Sequence, residues 1–165
     1  MKSRIPLQMR EILFRGKRRD NDEWIYGCLL NVTLYGKTAN LIFGDNFLFV
    51  GKDVKALNHA LVDPETVGQF TGLTDKNGKR IFEGDVISFH KFRDEPNWIG
   101  VVCYENYHYI AVGRMPIAYE KRKNEKAFHS HFEVTLSGID KTTIEVIGNI
   151  HDTPELIGER ESHGE

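Results

Sequence analysis

Seven histidines are the side chains of this 165-residue sequence with the broadest capacity for chemistry. His129 and His131 are separated by one residue, so an extended chain would place both imidazoles on one side. A zinc site needs three or four converging ligands, and His108 or His151 could join only from separate strands. Neither an HExxH nor a paired CxxC motif is present. We therefore predict solvent-facing histidines, no metal site and no cofactor.

The common catalytic and phosphate-binding motifs are absent from the sequence. It contains no GxSxG, no GxxxxGKS/T and no GxGxxG. Cys28 and Cys103 lie far apart in apolar surroundings, which predicts reduced, half-buried strand cysteines and not a disulfide or an activated thiol. The acidic pair Asp94-Glu95 precedes Pro96, as is typical of a solvated loop. We expect no catalytic residues and a protein that is not an enzyme.

The first nineteen residues carry the strongest charge asymmetry. Seven cations stand against one carboxylate there, a net charge of +6, whereas the whole chain carries −2 and the remainder therefore −8. Cations beside exposed aromatic rings can bind a nucleic-acid backbone and stack on its bases. The candidate contacts are Arg15, Lys17, Arg18 and Trp24. The alternative, which the acidic remainder favours, is a hairpin whose aromatic rings face the core and whose cations face solvent.

Length and composition exclude several classes of protein. Hydrophobic residues make up 40% and aromatic residues 11% of the chain, enough for a packed core without disulfides. The 15 glycines and 5 prolines show no period, which excludes a fibrous protein. Apolar runs stay below the roughly 18 residues of a membrane span, and the basic N-terminus lacks the apolar segment of a secretory signal. We expect a cytoplasmic protein with no membrane partner.

Short segments rich in β-branched and aromatic residues predict strands in the N-terminal part. Residues 12–15 and 24–30 should form a hairpin with a polar loop. Residues 41–43 and 47–50 flank a turn-prone Gly-Asp-Asn triplet and suggest a second hairpin. Residues 53–62 fit a short helix or an irregular connection. An Asp-Pro-Glu break follows, and we place a domain boundary there.

The strand signal is stronger from residue 67 onward. Asn77-Gly78 is the most favourable short-range turn dipeptide. Residues 114–131 fit a loop or short helix, and Asp152 followed by Pro154 predicts a short C-terminal helix that ends at Gly158. The predicted strands are 81–82, 86–90, 98–104, 107–112 and 143–150. Short strands with glycines at their bends suggest a small barrel.

The sequence Gly84-Asp85-Val86 is interpreted as a turn that leads into a strand. Glycine can adopt a positive φ at a turn, and the aspartate can accept hydrogen bonds from nearby backbone N–H groups. Val86 would then begin an inward-facing strand. Such steps occur in SH3-like barrels.

Three blocks of sequence carry a resemblance to a known family. They are residues 9–17 with 24–27 (MREILFRGK and WIYG), residues 69–87 (QFTGLTDKNGKRIFEGDVI) and residues 145–156 (EVIGNIHDTPEL). In this order they resemble the YopX-like family of phage and prophage proteins. Residues 1–8 depart from the family pattern.

The resemblance implies a phage or prophage protein of the bacterial cytoplasm, an SH3-like barrel in the C-terminal half, and an oligomer. The family has no assigned biochemical activity, so it supplies no catalytic or ligand-binding residues. Its signature positions are interpreted as structural. Turns and bends are expected at Gly72, Asn77, Gly78, Gly84 and Gly148, and local caps at Asp85 and Asp152.

The predicted fold class is mainly β, a β-rich α+β protein with a short C-terminal helix. We divide the chain into an extension (1–8), a hairpin-rich unit (9–64), an SH3-like barrel domain (65–158) and a polar tail (159–165). The favoured function is a non-enzymatic binding or assembly module that contacts a protein partner or a second copy of itself. The alternative is nucleic-acid binding through the basic hairpin. A hydrolytic or metal-dependent enzyme ranks third.

Overall fold

The computed structural model describes residues 11–34, 36–44, 59–90, 97–114 and 131–157. These residues form eleven β-strands and three short 3₁₀ segments. The strands are β1 (Phe14–Lys17), β2 (Trp24–Leu34), β3 (Lys37–Phe43), β4 (Leu61–Val62), β5 (Gly68–Thr74), β6 (Arg80–Phe82), β7 (Asp85–Phe89), β8 (Trp98–Glu105), β9 (His108–Arg114), β10 (His131–Thr135) and β11 (Glu145–Asn149). The 3₁₀ segments are Pro64–Thr66, Leu136–Gly138 and Pro154–Ile157.

The first sheet contains six strands in the order β4-β3-β2-β1-β5-β6. The predicted hairpin of β1 and β2 is confirmed, with Phe14 opposite Gly27 and Lys17 opposite Trp24. The predicted boundary near residue 64 stays a prediction. Strand β5, which follows that position, pairs with β1, which precedes it.

The predicted hairpin of residues 41–43 with residues 47–50 stays a prediction. Strand β3 pairs with β2 on one side and with β4 on the other. The end of the segment 53–62, which fitted a helix, is the short strand β4, because Leu61 and Val62 complete the β3 edge. Residues 47–50 and 53–58 lie outside the described part of the chain.

The second sheet contains five antiparallel strands in the order β10-β9-β8-β7-β11. The predicted β8–β9 hairpin is confirmed, with Glu105 opposite His108 across the turn. Strand β10 was not predicted, and it pairs along β9 from His131 to Thr135. A register shift between Val146 and Gly148 marks a bulge where β11 pairs with β7.

Apolar side chains lie against both sheets, alternating with more exposed residues along β8 and forming a continuous buried run in β7. The larger cluster lies against the second sheet and includes Ile81, Phe89, Trp98, Phe132 and Ile144. The Trp98 and Phe132 rings meet edge to face with centroids 4.8 Å apart. A smaller cluster of Leu13, Phe70 and Phe82 lies against the first sheet. Burial of these side chains supplies the main driving force for folding.

The mainly β prediction is confirmed, whereas the C-terminal helix needs correction. Pro154–Ile157 is a single 3₁₀ turn of four residues, in which the Leu156 N–H donates to the Thr153 carbonyl. That hydrogen bond spans three residues, which is the 3₁₀ spacing and not the α-helical one. The SH3-like barrel stays a prediction. Among the described residues, no helix is both long enough and apolar enough to span a membrane.

Candidate functional site: a polar junction and a tyrosine turn

A buried ion pair links β1 of the first sheet to β7 of the second. Arg15 Nη1 lies 2.6 Å from Asp85 Oδ1, and the two side chains are 6% and 2% exposed. Arg15 Nη2 also donates to the Glu83 carbonyl at 3.0 Å. Strand β1 brings the guanidinium to the turn between β6 and β7, so the two sheets meet through this pair.

The turn that presents Asp85 depends on local backbone geometry. Gly84 has φ of +77°, in the left-handed region that favours glycine. Asp85 Oδ2 accepts a hydrogen bond from the Phe82 N–H at 2.8 Å, as expected of an aspartate that bonds back across a turn. Val86 follows as the first apolar residue of the buried strand β7 and is 0% exposed. Gly84, Asp85 and Val86 therefore have the turn geometry that their sequence predicts.

Aromatic rings flank the Arg15 guanidinium. Its Cζ lies 4.7 Å from the Trp24 ring centroid and 5.0 Å from the Phe82 ring centroid. Such contacts are attractive because the ring faces carry negative charge density. Burial raises the pKa of Asp85, while the Arg15 charge and the Phe82 N–H act in the opposite direction. The neighbouring cation therefore offsets part of the cost of placing this carboxyl in the interior.

A second cluster lies beside the first, at the end of β1. Lys17 Nζ is 2.5 Å from Asp152 Oδ1. Asp152 Oδ2 accepts hydrogen bonds from Trp24 Nε1 at 2.8 Å and from Asn149 Nδ2 at 2.7 Å. Burial opposes ionisation of Asp152, but the hydrogen bonds from Asn149, Lys17 and Trp24 outweigh it and lower its pKa to about 2. We call the two clusters together the polar junction: Arg15, Lys17, Trp24, Glu83, Asp85, Asn149 and Asp152.

We expect Asp152→Asn to remove an acid-sensitive contribution to stability. A carboxyl whose folded pKa lies below its unfolded value stabilises the fold above the unfolded pKa of 3.8, and this stabilisation is lost as pH falls toward about 2. Because Asp152 is about one-third exposed, solvent screening reduces the effect to about 1 kcal/mol at pH 7. Urea unfolding at pH 7 and pH 2.5 should show a smaller pH difference for the variant than for the wild type. An unchanged difference would contradict the assignment.

The four predicted nucleic-acid contacts are placed with acidic partners. Arg15 is buried against Asp85, and Lys17 and Trp24 both contact Asp152. Arg18 Nη2 lies 2.6 Å from Asp20 Oδ2 and 2.6 Å from His59 Nδ1. The positive charges of these residues are therefore matched within the protein. Their role as nucleic-acid contacts stays a prediction.

The predicted turn residues occupy turns or close approaches. Gly72 and Gly78 have φ of +84° and +81°. Asn77 donates its N–H to Asp75 Oδ1. Gly148 is needed for another reason, because a Cβ there would lie 2.0 Å from Thr153 Oγ1. Asp152, expected as a local cap, directs its carboxylate to Lys17, Trp24 and Asn149.

Among the described residues, the histidines weighed as metal ligands do not converge, and the two cysteines differ in exposure. His108 is exposed and His151 is partly buried, 6.0 Å from the Trp24 ring centroid. Residues 129–130 and the side chain of residue 131 lie outside the described part. Among the residues that the structure describes, no three His, Cys, Asp or Glu side chains converge as metal ligands. Cys28 is exposed rather than half-buried, whereas Cys103 is partly buried as expected, and burial raises the pKa of its thiol.

Asp75 is an important polar residue that motif analysis did not single out. Its Oδ1 accepts the N–H groups of Asn77 and Lys79 at 2.8 and 2.9 Å, and its Oδ2 accepts the Val146 N–H at 3.1 Å. These contacts connect the β5–β6 turn with β11. An aspartate at the start of an Asp-x-Asn-Gly sequence is the signal that predicts its hydrogen bonds within the turn. Its hydrogen bond with the distant Val146 cannot be predicted from the local sequence.

The β8–β9 turn carries two exposed tyrosines beside a partly buried one. Asn106 and Tyr107 have φ of +48° and +70°, and Tyr107 is 96% exposed. Tyr104 is 54% exposed, and its ring meets that of Tyr109 edge to face at 5.0 Å. We call Tyr104, Tyr107 and Tyr109 with Asn106 the tyrosine turn. It combines large aromatic side chains with the backbone conformation that a two-residue hairpin requires.

The fold and the polar junction define a mainly β protein in which two antiparallel sheets meet through a buried arginine–aspartate pair. The family model described as "YopX protein" matches residues 13–158, and the chain belongs to the YopX protein family. No curated protein matches this sequence. A solved structure, "Crystal structure of protein EF1440 from Enterococcus faecalis", is 18% identical, covers 90% of this chain and 99% of its own, and has a TM-score of 0.43.

Proposed function

We propose that this chain is a phage or prophage accessory protein of the bacterial cytoplasm, and that it acts as a non-enzymatic binding or assembly module through protein–protein contacts. The genomic context is proposed from the resemblance to the YopX-like family, whose model matches residues 13–158. The tyrosine turn supports the binding role. The candidate nucleic-acid contacts give less support to the alternative, because acidic side chains already match their charges.

The observation that carries the proposal is the conformation of Tyr107. Two-residue hairpin turns of this geometry favour glycine at the second turn position, because L side chains rarely adopt positive φ. A bulky residue there costs about 1–2 kcal/mol of folding stability. Tyr107 is nevertheless almost fully exposed, so the folded monomer gains little burial in return. Backbone strain of this kind is concentrated at functional sites.

The chemistry of the turn indicates the kind of surface that it fits. Tyrosine provides a large contact area with few rotatable bonds and is enriched among residues that dominate protein–protein affinity. Glu105 is exposed beside the turn, and Tyr104 extends the aromatic surface. A complementary partner would present an apolar pocket with a basic rim.

We expect Tyr107→Gly to stabilise the free protein while weakening partner binding. Relief of the positive φ should raise the free energy of unfolding by about 0.5–1 kcal/mol, after the entropy cost of glycine. Loss of the aromatic side chain should reduce capture of the partner at least about tenfold, as for other central tyrosines. Urea unfolding measures the first effect. Affinity capture from nuclease-treated lysates of phage-carrying host cells, quantified by mass spectrometry, measures the second.

Asp22→Gly is the matched control, because Asp22 has φ of +58° in the exposed β1–β2 turn. That substitution also relieves a positive φ but removes no aromatic ring. It should leave capture unchanged. If Tyr107→Gly captures the same proteins at the same level as Asp22→Gly and the wild type, the binding role of the tyrosine turn is wrong. If capture is lost on nuclease treatment alone, the nucleic-acid alternative replaces it.

A further inference from the structure

The β5–β6 turn presents the Asn77-Gly78 dipeptide at the surface of the protein. Both residues are exposed. Gly78 has φ of +81°. Apart from its chain neighbours, no atom of the described residues lies within 4 Å of the position that a Cβ would occupy on Gly78. The peptide bond between the two residues is therefore shielded neither by a side chain on Gly78 nor by a distant described part of the chain.

This exposed peptide bond permits a reaction within the chain. The Gly78 backbone nitrogen, after losing its proton to hydroxide, can attack the side-chain carbonyl carbon of Asn77. A bond forms between this nitrogen and this carbon, the bond from the carbon to the side-chain nitrogen breaks, and ammonia leaves with a proton taken from water. Water then opens the cyclic succinimide at one of its two carbonyl groups, which gives aspartate or isoaspartate. Water and hydroxide are the only reagents, and nothing is oxidised or reduced.

Hydrogen bonds within the turn restrain this reaction. The Gly78 N–H donates to the Asp75 carbonyl at 3.0 Å, so the attacking nitrogen is occupied while the turn is closed. Asp75 Oδ1 accepts the N–H groups of Asn77 and Lys79 at 2.8 and 2.9 Å. The Asp75 N–H donates to the Lys79 carbonyl at 2.8 Å. The nitrogen becomes reactive when the turn opens locally, and such openings need less free energy in exposed turns than in the core.

Asn77 is the only asparagine of the sequence that is followed by glycine. Asn106 is the best comparison within the protein, because it is also exposed and lies in a two-residue hairpin turn. The residue that follows it is Tyr107, whose side chain hinders attack by the backbone nitrogen. The reaction should therefore be selective for Asn77.

We propose that Asn77 is a site of spontaneous deamidation, with the Gly78 nitrogen as the nucleophile and local opening of the β5–β6 turn as the step that controls the rate. The aspartate product places a second carboxylate two residues from that of Asp75. The isoaspartate product carries the main chain through the former side-chain carbon, which adds a methylene group between the N–H groups of Asn77 and Lys79. Both products weaken the turn through which Asp75 reaches the Val146 N–H of β11.

The first test compares sites within the full chain. Peptide mass spectrometry of protein incubated at pH 7 and pH 9 measures aspartate and isoaspartate at each asparagine. Asn77 should be converted several-fold faster than Asn106, and its rate should rise with hydroxide concentration. Conversion of Asn77 should be at least about fivefold slower in the folded chain than in the urea-unfolded chain, the factor that corresponds to a net hydrogen bond of about 1 kcal/mol.

The second test changes the opening of the turn. Asp75→Ala removes the acceptor of two turn amides, so conversion of Asn77 and hydrogen exchange of the Gly78 amide should accelerate by the same factor. Asp75→Asn keeps an acceptor oxygen in the turn and should leave the rate close to that of the wild type. Asp140→Ala is the matched control, because Asp140 Oδ1 accepts the N–H of Thr142 in a different exposed turn. It should not change conversion of Asn77.

Three results would overturn the proposal. The site is wrong if Asn77 is converted no faster than Asn106. Control by the turn is wrong if the folded wild type reacts as fast as the urea-unfolded chain, a comparison that needs no variant to fold. It is also wrong if folded Asp75→Ala and Asp140→Ala, checked by circular dichroism, convert Asn77 at equal rates.

Discussion

We expect Arg15→Met to lower the free energy of unfolding by about 3–5 kcal/mol, because it leaves the Asp85 carboxylate buried without its cation. Asp85 is 1% exposed, so water cannot replace the lost guanidinium without opening the structure. The variant also loses the hydrogen bond to the Glu83 carbonyl and the contacts with two aromatic rings. Urea unfolding at pH 7, followed by tryptophan fluorescence and circular dichroism, measures the change.

Two comparisons separate loss of the buried pair from loss of one arginine. Arg80 lies 3.0 Å from Glu11 on the surface, with both side chains about half exposed, so Arg80→Met should cost less than about 1 kcal/mol. Combining Arg15→Met with Asp85→Asn removes the unpaired charge and keeps an acceptor for the Phe82 N–H. The double variant should be more stable than Arg15→Met alone. Equal losses for Arg15→Met and Arg80→Met would contradict the importance of the buried pair.

We expect Asp75→Ala to destabilise the protein by about 4 kcal/mol. The substitution removes one carboxylate that accepts three backbone N–H groups, and each buried donor left without an acceptor costs about 1–3 kcal/mol. Two of these donors belong to the β5–β6 turn and the third to β11. The loss should therefore appear in one cooperative unfolding transition that involves both regions. Hydrogen exchange of the Val146 amide should accelerate in step with the global loss.

Asp75→Asn is the conservative comparison. The Asn side chain can retain one oxygen acceptor for Asn77 and Lys79, but its NH₂ group would face the Val146 N–H, donor against donor. We expect a loss between those of the wild type and Asp75→Ala, with the turn amides protected and Val146 exposed to exchange. If both variants unfold like the wild type, Asp75 does not connect the turn to β11.

Local sequence signals predicted a substantial part of this fold. The β1–β2 hairpin, the Asn77-Gly78 turn and the β8–β9 hairpin all follow from short apolar segments separated by turn residues. Each of these pairings joins strands that are neighbours in sequence. Their formation depends on turn geometry and on alternation of side chains, which a short stretch of sequence contains.

Other strands could not be predicted because their partners are not specified locally. Strand β4 contains only two residues, and it is a strand because it pairs with the edge of β3. Strand β10 gives only a weak signal in the sequence, because it is five residues long. It becomes a strand by pairing with β9. In both cases tertiary contacts decide the secondary structure, since β-propensity depends on the neighbours that a strand packs against.

The same difference between local sequence information and tertiary contacts applies to the residues of the candidate site. The sequence identified Arg15, Lys17 and Trp24 as a cluster of cations and an aromatic ring, and it identified Asp85 and Asp152 as aspartates in turns. It could not show that these two groups meet, because Trp24 and Asp152 are separated by 128 positions. Their association turns a candidate ligand surface into a junction between sheets whose charges are internally matched.

By itself, the sequence determined the mainly β class, the membership of the YopX family, the principal turns and the polarity of charge along the chain. These properties depend on residue type and spacing, which are read without coordinates. The tertiary structure alone decided which charges are buried and paired, and which tyrosines are exposed. Burial and pairing depend on contacts between distant parts of the chain, and the low polarity of the interior gives those contacts their energetic weight.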